Sequence, residues 1–295
     1  MENKSHLKKI LWGIGIFILI VSGIILYARF IGTSGLYVKE YKVTNSSIPD
    51  SFYGTKIVQI SDIHYGRTIK KQELQNMVNK VNQLKPDIIV LTGDLIDKDT
   101  MLTDKMATVI SDILKQLNAT IGKYAITGNH DYKFDKWATI ISDSGFMNLN
   151  DRYDIIYNNS TKPIFLGGLS TNTYQKEKTL EEKIKVMNDY FATRTEENQN
   201  SFPDYKILIM HEPDYVEEVN PENYDLILAG HSHDGQVKLP GIGAVILPNG
   251  AKKYHKNYYN LNGTDFYISS GIGTSRYNFR LFNRPSINLY RLVDH

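Results

Sequence analysis

An α/β fold with a sheet of parallel strands joined by helices and a second, mixed sheet, preceded by one N-terminal transmembrane helix, is the class that the sequence predicts. Three observations predict it. Residues 56–131 alternate short apolar runs with amphipathic helical stretches, the pattern of parallel strands joined by crossover helices. From residue 164 onward, further short apolar runs follow with fewer helices between them, which implies a second, mixed sheet. Residues 10–28 form a single uncharged, apolar stretch.

That stretch is 19 residues long. At about 1.5 Å rise per residue it spans most of a roughly 30 Å hydrocarbon core. A cleaved signal peptide has a shorter apolar region, about 7 to 15 residues, ending in a small-residue cleavage site. Here the run ends in Tyr27-Ala28-Arg29-Phe30, without an A-x-A pattern, and this favours an uncleaved anchor. Lys4, Lys8 and Lys9 precede the span and Arg29 and Lys39 follow it, so the positive-inside bias places the N-terminus in the cytoplasm. The expectation is a single-pass protein of the cell membrane with an extracytoplasmic body. Residues 1–9 are then a short tail, 10–28 the anchor, 29–50 a juxtamembrane segment and 51–295 one domain. Within the juxtamembrane segment, residues 37–43 alternate like an exposed or edge strand.

In the body, residues 56–60 end in Ser61-Asp62-Ile63-His64, and residues 71–84 carry Leu74, Met77, Val78, Val81 and Leu84 at helical spacing. Residues 87–91 end in Thr92-Gly93-Asp94, and residues 102–117 carry Met106, Val109, Ile110, Ile113, Leu114 and Leu117 at the same spacing. Residues 122–126 then end in Thr127-Gly128-Asn129-His130-Asp131. The later runs are 164–166, 207–210, 226–229, 244–247 and 266–268. Residues 171–204 are charged apart from an amphipathic stretch through Leu180, Ile184, Met187 and Phe191, and read as a helix plus a solvated loop.

Composition narrows the function. Lys4, Lys8 and Lys9 against Glu2 account for the net charge of +2, so the body is balanced. A general grip on nucleic-acid phosphates, which calls for a basic excess, is not expected. There is no cysteine, which removes disulfides, thiolate zinc sites and a cysteine nucleophile.

Of eight histidines, five (His64, His130, His211, His231 and His233) stand immediately after strand-like runs, each beside Asp, Asn, Glu or Gly. Ligands bind at the carboxyl ends of strands in open α/β sheets, so these positions converge in one cleft. Two divalent ions held close together need a bridging carboxylate, several neutral imidazoles and a weakly basic oxygen donor. Asp62, His64, Asp94, Asn129, His211, His231 and His233 supply that set, with Asp94 as the natural bridge because a carboxylate has two oxygens. Taken singly, a D-x-H is mostly a capped turn, a G-D a turn, and an H-x-H a coincidence. The ordered combination is what carries the reading.

The blocks Asp62-Ile63-His64, Gly93-Asp94-Leu95-Ile96-Asp97, Gly128-Asn129-His130-Asp131, Met210-His211-Glu212 and Gly230-His231-Ser232-His233 resemble those of the calcineurin-like metallophosphoesterase superfamily, from residue 56 to the C-terminus. The stretches Ser270-Gly271-Ile272-Gly273-Thr274-Ser275 and Arg280-Leu281-Phe282-Asn283-Arg284-Pro285 further resemble its membrane-associated bacterial branch of YkuE-like and YaeI-like phosphodiesterases. The resemblance implies a four-layer sandwich of two mixed sheets flanked by helices. It also implies one divalent ion on Asp62, His64, Asp94 and His233 and another on Asp94, Asn129, His211 and His231, the metals being Mn, Fe, Zn or Co. Hydroxide bridging the metals would attack phosphorus in line, with His130 protonating the leaving alkoxide or stabilising charge at phosphorus. Asp131 either orients His130 or caps a helix running through Trp137. Arg67 either reaches a substrate phosphate or is a surface residue, and Asp97 supports the site from behind. Tyr254, His255, Tyr258 and Tyr259 either rim the site or pack on the surface. The expected activity is a phosphodiesterase or pyrophosphatase acting on a lipid-linked, nucleotide or cell-envelope phosphoester. A phosphomonoesterase of the same fold and a non-catalytic, metal-stabilised scaffold that binds a protein partner are the alternatives.

Overall fold

The computed structural model describes residues 2–173 and 178–294. Residues 174–177 of the charged stretch 171–204, and the two end residues of the chain, lie outside the described residues. The apolar N-terminal run sits in α1 (Glu2–Leu26), which continues through a widened turn at Tyr27–Ile31. Ser5–Ile31 is long and apolar enough to cross a membrane, and its most apolar stretch has mean hydropathy 2.5 and is buried nowhere in the protein.

In chain order the first half of the body holds β1 (Tyr37–Thr44), β2 (Lys56–Ile60), α2 (Lys71–Leu84), β3 (Ile88–Thr92), α3 (Asp104–Leu114), β4 (Gly122–Ile126), α4 (Trp137–Asp143) and β5 (Met147–Asn148). The second half holds β6 (Arg152–Ile156), β7 (Ile164–Gly168), α5 (Leu180–Phe191), β8 (Tyr205–Ile209), β9 (Leu226–Ala229), the short pair β10 (Lys238–Leu239) and β11 (Gly243–Ala244), β12 (Tyr258–Leu261), β13 (Thr264–Ile268) and β14 (Ser286–Val293). Two six-stranded sheets result, ordered β1-β14-β2-β3-β4-β5 and β12-β13-β9-β8-β7-β6. Both are mixed: β2, β3, β4 and β5 run parallel while β14 opposes β2, and β7, β8, β9 and β13 run parallel while β6 and β12 oppose their neighbours.

The layers follow from which residues are apolar on both faces. In β7 and β8, Ile164, Leu166, Ile207 and Ile209 pack between the sheets against Ile57, Val90 and Ile126, while Phe165 and Leu208 turn outward onto Ile184 and Met187 of α5. Covered on both faces, such strands read as continuous apolar runs. On the far side of the first sheet, Leu74, Met77, Val78 and Val81 of α2 and Ile110 and Leu114 of α3 cover Val58, Ile60, Ile89 and Leu91. The order helix, sheet, sheet, helix is the expected four-layer sandwich. Local signals start the helices where the sequence places them. In α5, Thr179 Oγ1 accepts from Glu182 N at 3.2 Å while Glu182 Oε2 accepts from Thr179 N at 2.7 Å, a reciprocal capping box.

Two readings shift. The first sheet begins inside the stretch assigned to the juxtamembrane segment, because Tyr37–Thr44 pairs along its length with β14 as a parallel edge strand. Residues 244–247 do not make a sheet strand. Gly243–Ala244 pairs with Lys238–Leu239 in a small hairpin, and Val245 and Ile246 beyond it are half exposed.

The end of α1 is docked rather than loose. Ala28 is buried, its carbonyl accepts from Arg280 N at 2.9 Å, and the Arg284 guanidinium lies 5.3 Å over the Tyr37 ring and 6.0 Å from the Tyr27 ring.

Candidate metal centre

Each of the seven residues with metal-ligand chemistry stands just beyond a parallel strand: Asp62 and His64 after β2, Asp94 after β3, Asn129 after β4, His211 after β8, and His231 and His233 after β9. Since β2, β3 and β4 belong to one sheet and β8 and β9 to the other, the centre forms where the carboxyl ends of both meet. All seven are buried. Five of them, Asp62, His64, Asp94, His231 and His233, hold φ between 49° and 65°. A non-glycine residue in this region costs on the order of 1–3 kcal/mol, and such strain collects where function requires a particular side-chain placement.

The donor atoms form three overlapping groups: Asp62 with His64 and His233, His64 with Asp94 and His130, and Asp94 with His211 and His231. The ligand-type donors fall into two clusters that Asp94 Oδ2 faces together. In the first, His64 Nε2 lies 3.1 Å from His233 Nε2 and 3.7 Å from Asp94 Oδ2, and His233 Nε2 lies 3.5 Å from Asp62 Oδ1. In the second, His211 Nε2 lies 3.1 Å from Asn129 Oδ1 and 3.4 Å from the same Asp94 Oδ2, with His231 alongside. Bonds of about 2.0–2.2 Å to a tetrahedral or octahedral ion require donors roughly 3.0–3.6 Å apart, so the residues fit divalent ions. The two oxygens of Asp94 do not share the two clusters between them. Oδ2 alone faces both clusters, because Asp94 Oδ1 accepts from His130 N at 2.7 Å.

Backbone carbonyls set which ring nitrogen is free. His211 Nδ1 donates to Thr92 O at 2.8 Å, leaving Nε2 for a metal, whereas His231 Nε2 donates to Asn249 O at 2.8 Å, leaving Nδ1. Asp62 is fixed by Ser61 Oγ at 2.6 Å and by His231 N at 3.0 Å. Burial, with the His64 and Arg280 charges, pushes His233 well below the ordinary imidazole range, and burial with His211 lowers His231. Both rings are thus held neutral, the form that binds metal. Burial alone would raise Asp94, but the His211 and His130 charges outweigh it and hold the carboxyl well below its usual range. Arg280 is fully buried and donates to the carbonyls of Ser270, Gly271 and Gly273. Its Nη2 also lies 3.2 Å from His233 Nδ1.

His130 differs from the ligands. Lys98 N donates to its Nδ1 at 3.1 Å, which puts the ring proton on Nε2, and the ring lines the central cavity. Burial lowers its pKa, but the Asp94 and Asp97 carboxylates outweigh that and raise it. The carboxylate facing the ring is Asp97, 3.6 Å from His130 Nδ1 and 3.5 Å from His64 Nδ1. Asp131 faces elsewhere: its oxygens accept from Leu95 N, Ile96 N and Gly128 N at 3.2, 3.0 and 3.0 Å, clamping the loop that carries Asp94 to the loop that carries Asn129. Arg67 ion-pairs with Asp97 and Asp99 and donates to the Arg276 carbonyl. Among the described residues it is Arg276, not Arg67, that lines the cavity. Tyr254 is buried against Phe266 and Tyr259, the packing alternative for the Tyr-rich segment, and the cavity's aromatic residues are Tyr277 and Phe279.

Gly93 and Gly128 permit this closeness. Gly93 holds φ 94°, and a Cβ there would strike His211 Nδ1 and the Gly128 backbone, while a Cβ on Gly128 would overlap Asp94 itself. Gly128→Ala is therefore expected to displace Asp94, lowering stability by about 1–3 kcal/mol. Thermal unfolding and metal content of the variant check this together, since an unstrained substitution would leave both unchanged.

The family model for calcineurin-like phosphoesterases matches residues 55–235. Metallophosphoesterase YkuE of Bacillus subtilis (strain 168) is 29% identical over 295 residues, covering 99% of this chain and 98% of its own length. Phosphodiesterase YaeI of Escherichia coli (strain K12) is 26% identical over 241 residues, covering 81% of this chain and 82% of its own. The UDP-2,3-diacylglucosamine pyrophosphatase LpxG of Chlamydia trachomatis is 26% identical over 232 residues, covering 66% of this chain and 69% of its own.

Proposed function

Because the chain belongs to the calcineurin-like phosphoesterase family, and is thereby a metal-dependent phosphoester hydrolase, we propose that it cleaves phosphodiester or pyrophosphate bonds at a pair of divalent ions. One ion is held by Asp62, His64, Asp94 and His233 and the other by Asp94, Asn129, His211 and His231. The observation that carries this reading is Asp94 Oδ2, a single anionic atom facing His64 on one side and His211 on the other. Relatives named as a phosphodiesterase and a pyrophosphatase support a diester or pyrophosphate over a monoester. The N-terminal helix anchors the enzyme in the cell membrane, and the Lys4, Lys8 and Lys9 cluster ahead of it supports an extracytoplasmic catalytic domain acting on lipid-linked or cell-envelope phosphoesters.

When bound, the metals supply Lewis acidity at the phosphoryl group and a nucleophilic water near neutral pH. The protein supplies the rest. Asp94, kept ionised, compensates positive charge at the floor of the cleft. His130 directs its Nε2 proton toward the reacting phosphoester because Lys98 N occupies Nδ1. Arg276, which lines the cavity, supplies a positive charge to neutralise a non-reacting phosphate oxygen. Asp131 acts through the loops it clamps.

The experiment is hydrolysis of bis(p-nitrophenyl) phosphate by the purified full chain, chelated and then reloaded with Mn²⁺. Activity is expected to vanish on chelation and to return with about two metal equivalents per chain, the stoichiometry of a two-metal site. A folded, metal-loaded protein that cleaved neither this diester nor p-nitrophenyl phosphate would favour the scaffold alternative instead.

A further inference from the structure

The cavity over the candidate metal centre, about 440 Å³, joins a polar floor to apolar walls. Its floor carries Asp94, Asn129, His130, His231 and His233. One wall is built by Ile24 and Ile25 of α1 and Ala28 just beyond it, all from the end of the uncharged run. If about 20 residues of Ser5–Ile31 fill a hydrocarbon core of roughly 30 Å, Ile24 and Ile25 lie within the final turns before the boundary, and so does the cavity wall they form. The contacts of Arg280 with Ala28 and of Arg284 with Tyr27 and Tyr37 fix the domain to that end of the helix.

The rest of the lining is largely apolar as well. Val245, Ile246, Phe279 and Leu281 contribute to it, the first two about half exposed at 50% and 54%, and Ile242 at the tip of the β10–β11 hairpin is 75% exposed. Tyr277 of the lining is exposed, as are Phe282 nearby in the chain and Tyr27 and Phe30 just beyond α1, where the Arg284 guanidinium lies 6.0 Å from the Tyr27 ring and that of Arg29 5.3 Å from the Phe30 ring. Aromatic and basic side chains at one level are what a protein presents to the headgroup zone of a bilayer. A contiguous apolar rim is costly in water but not when it adjoins lipid, and this rim is continuous with the membrane helix.

Resting on the phosphoesterase reading above, we infer that the substrate is a membrane amphiphile whose phosphoester enters this cleft from the bilayer. Its hydrocarbon chain lies between the end of α1 and the Val245–Ile246 wall, with the phosphorus at the metal centre. Hydrolysis adds the oxygen of water to phosphorus and breaks the bond from phosphorus to the leaving oxygen, which takes up a proton. The chain stays in the lipid phase throughout.

The test uses the full chain in phospholipid nanodiscs loaded with Mn²⁺ and two diesters that share a leaving group, p-nitrophenyl hexadecyl phosphate and p-nitrophenyl ethyl phosphate. Partition into the bilayer favours the long probe whatever the cavity does, so the informative quantity is how the ratio of their kcat/KM values responds to the wall. The double variant Val245→Glu, Ile246→Glu is expected to lower the hexadecyl-to-ethyl ratio by about tenfold or more, since burying even two methylenes is worth roughly that factor. Ile242→Glu, at the exposed hairpin tip, should lower it in the same direction, and metal content verifies that both variants are folded. A ratio unchanged by either variant, or a wild-type enzyme that prefers the ethyl diester, overturns the inference and leaves the phosphodiesterase reading standing. Cleavage of neither diester by the metal-loaded protein overturns both.

Discussion

Asp94→Asn is expected to abolish hydrolysis and to strip the protein of at least one of its metals. The direction of the amide is imposed by the site. Asp94 Oδ1 accepts the His130 N–H at 2.7 Å, so an asparagine keeps its oxygen there and turns its NH2 toward His64 and His211. The atom that faces both clusters then changes from an anionic acceptor to a donor, which cannot ligate. Losing several kcal/mol of charge stabilisation at a shared ligand corresponds to at least about 10³ in rate. Stability separates this from a general folding defect. Without metal, the variant keeps the bond to His130 and should unfold close to the wild type. With metal at about 100 times its Kd, the wild type gains roughly 2.7 kcal/mol and the variant much less. For a body of this size that is a difference of about 5–10 °C in Tm. Equal metal-induced shifts in the two proteins would show that Asp94 does not bridge.

That such a residue could be singled out from the chain alone has a physical cause. Parallel strands buried on both faces leave unmistakable apolar runs, and residues that end those runs must lie at one edge of the sheet. Hence Asp62, His64, Asp94, Asn129, His211, His231 and His233 were legible as a group, along with α1, α2 and α5. What supports them was less so. The proton position on His130 depends on a backbone N–H of Lys98, 32 residues earlier, and the tautomer of His231 on the carbonyl of Asn249. Backbone donors leave no mark in a sequence. Arg67 stood close to Asp62 in the chain, yet Asp97 and Asp99 hold it, and Arg276 reaches the cavity from a distant loop. The edge strand β1 was visible as alternation but not as part of the sheet, because its partner β14 lies at the other end of the chain and its own residues, Val43 excepted, are exposed or half-buried. Residues 244–247 were apolar enough for a strand, yet Val245 and Ile246 line the cavity instead.

Replacing His130 by Ala should lower kcat by about 10²–10⁴ while both metals remain bound, the range expected when a positioned acid or charge-stabilising group is lost. Retention of metal follows from the hydrogen bonding: with Nδ1 engaged by Lys98 N, the remaining nitrogen carries a proton and has no lone pair to offer an ion. His64 and His211 keep their own contacts to Asp94 in the variant, so the donor clusters survive. The size of the loss should depend on the leaving group if the Nε2 proton is transferred to it. A p-nitrophenolate leaves readily without a proton, whereas an alkoxide does not. The variant should then be damaged far more with a dialkyl diester than with bis(p-nitrophenyl) phosphate. If His130 instead stabilises charge on the non-bridging phosphoryl oxygens, the two substrates should suffer equally, because that charge develops whatever departs. Measuring kcat for both diesters, wild type against His130→Ala at full metal occupancy, chooses between the two roles. An unimpaired variant with either substrate would remove His130 from the mechanism.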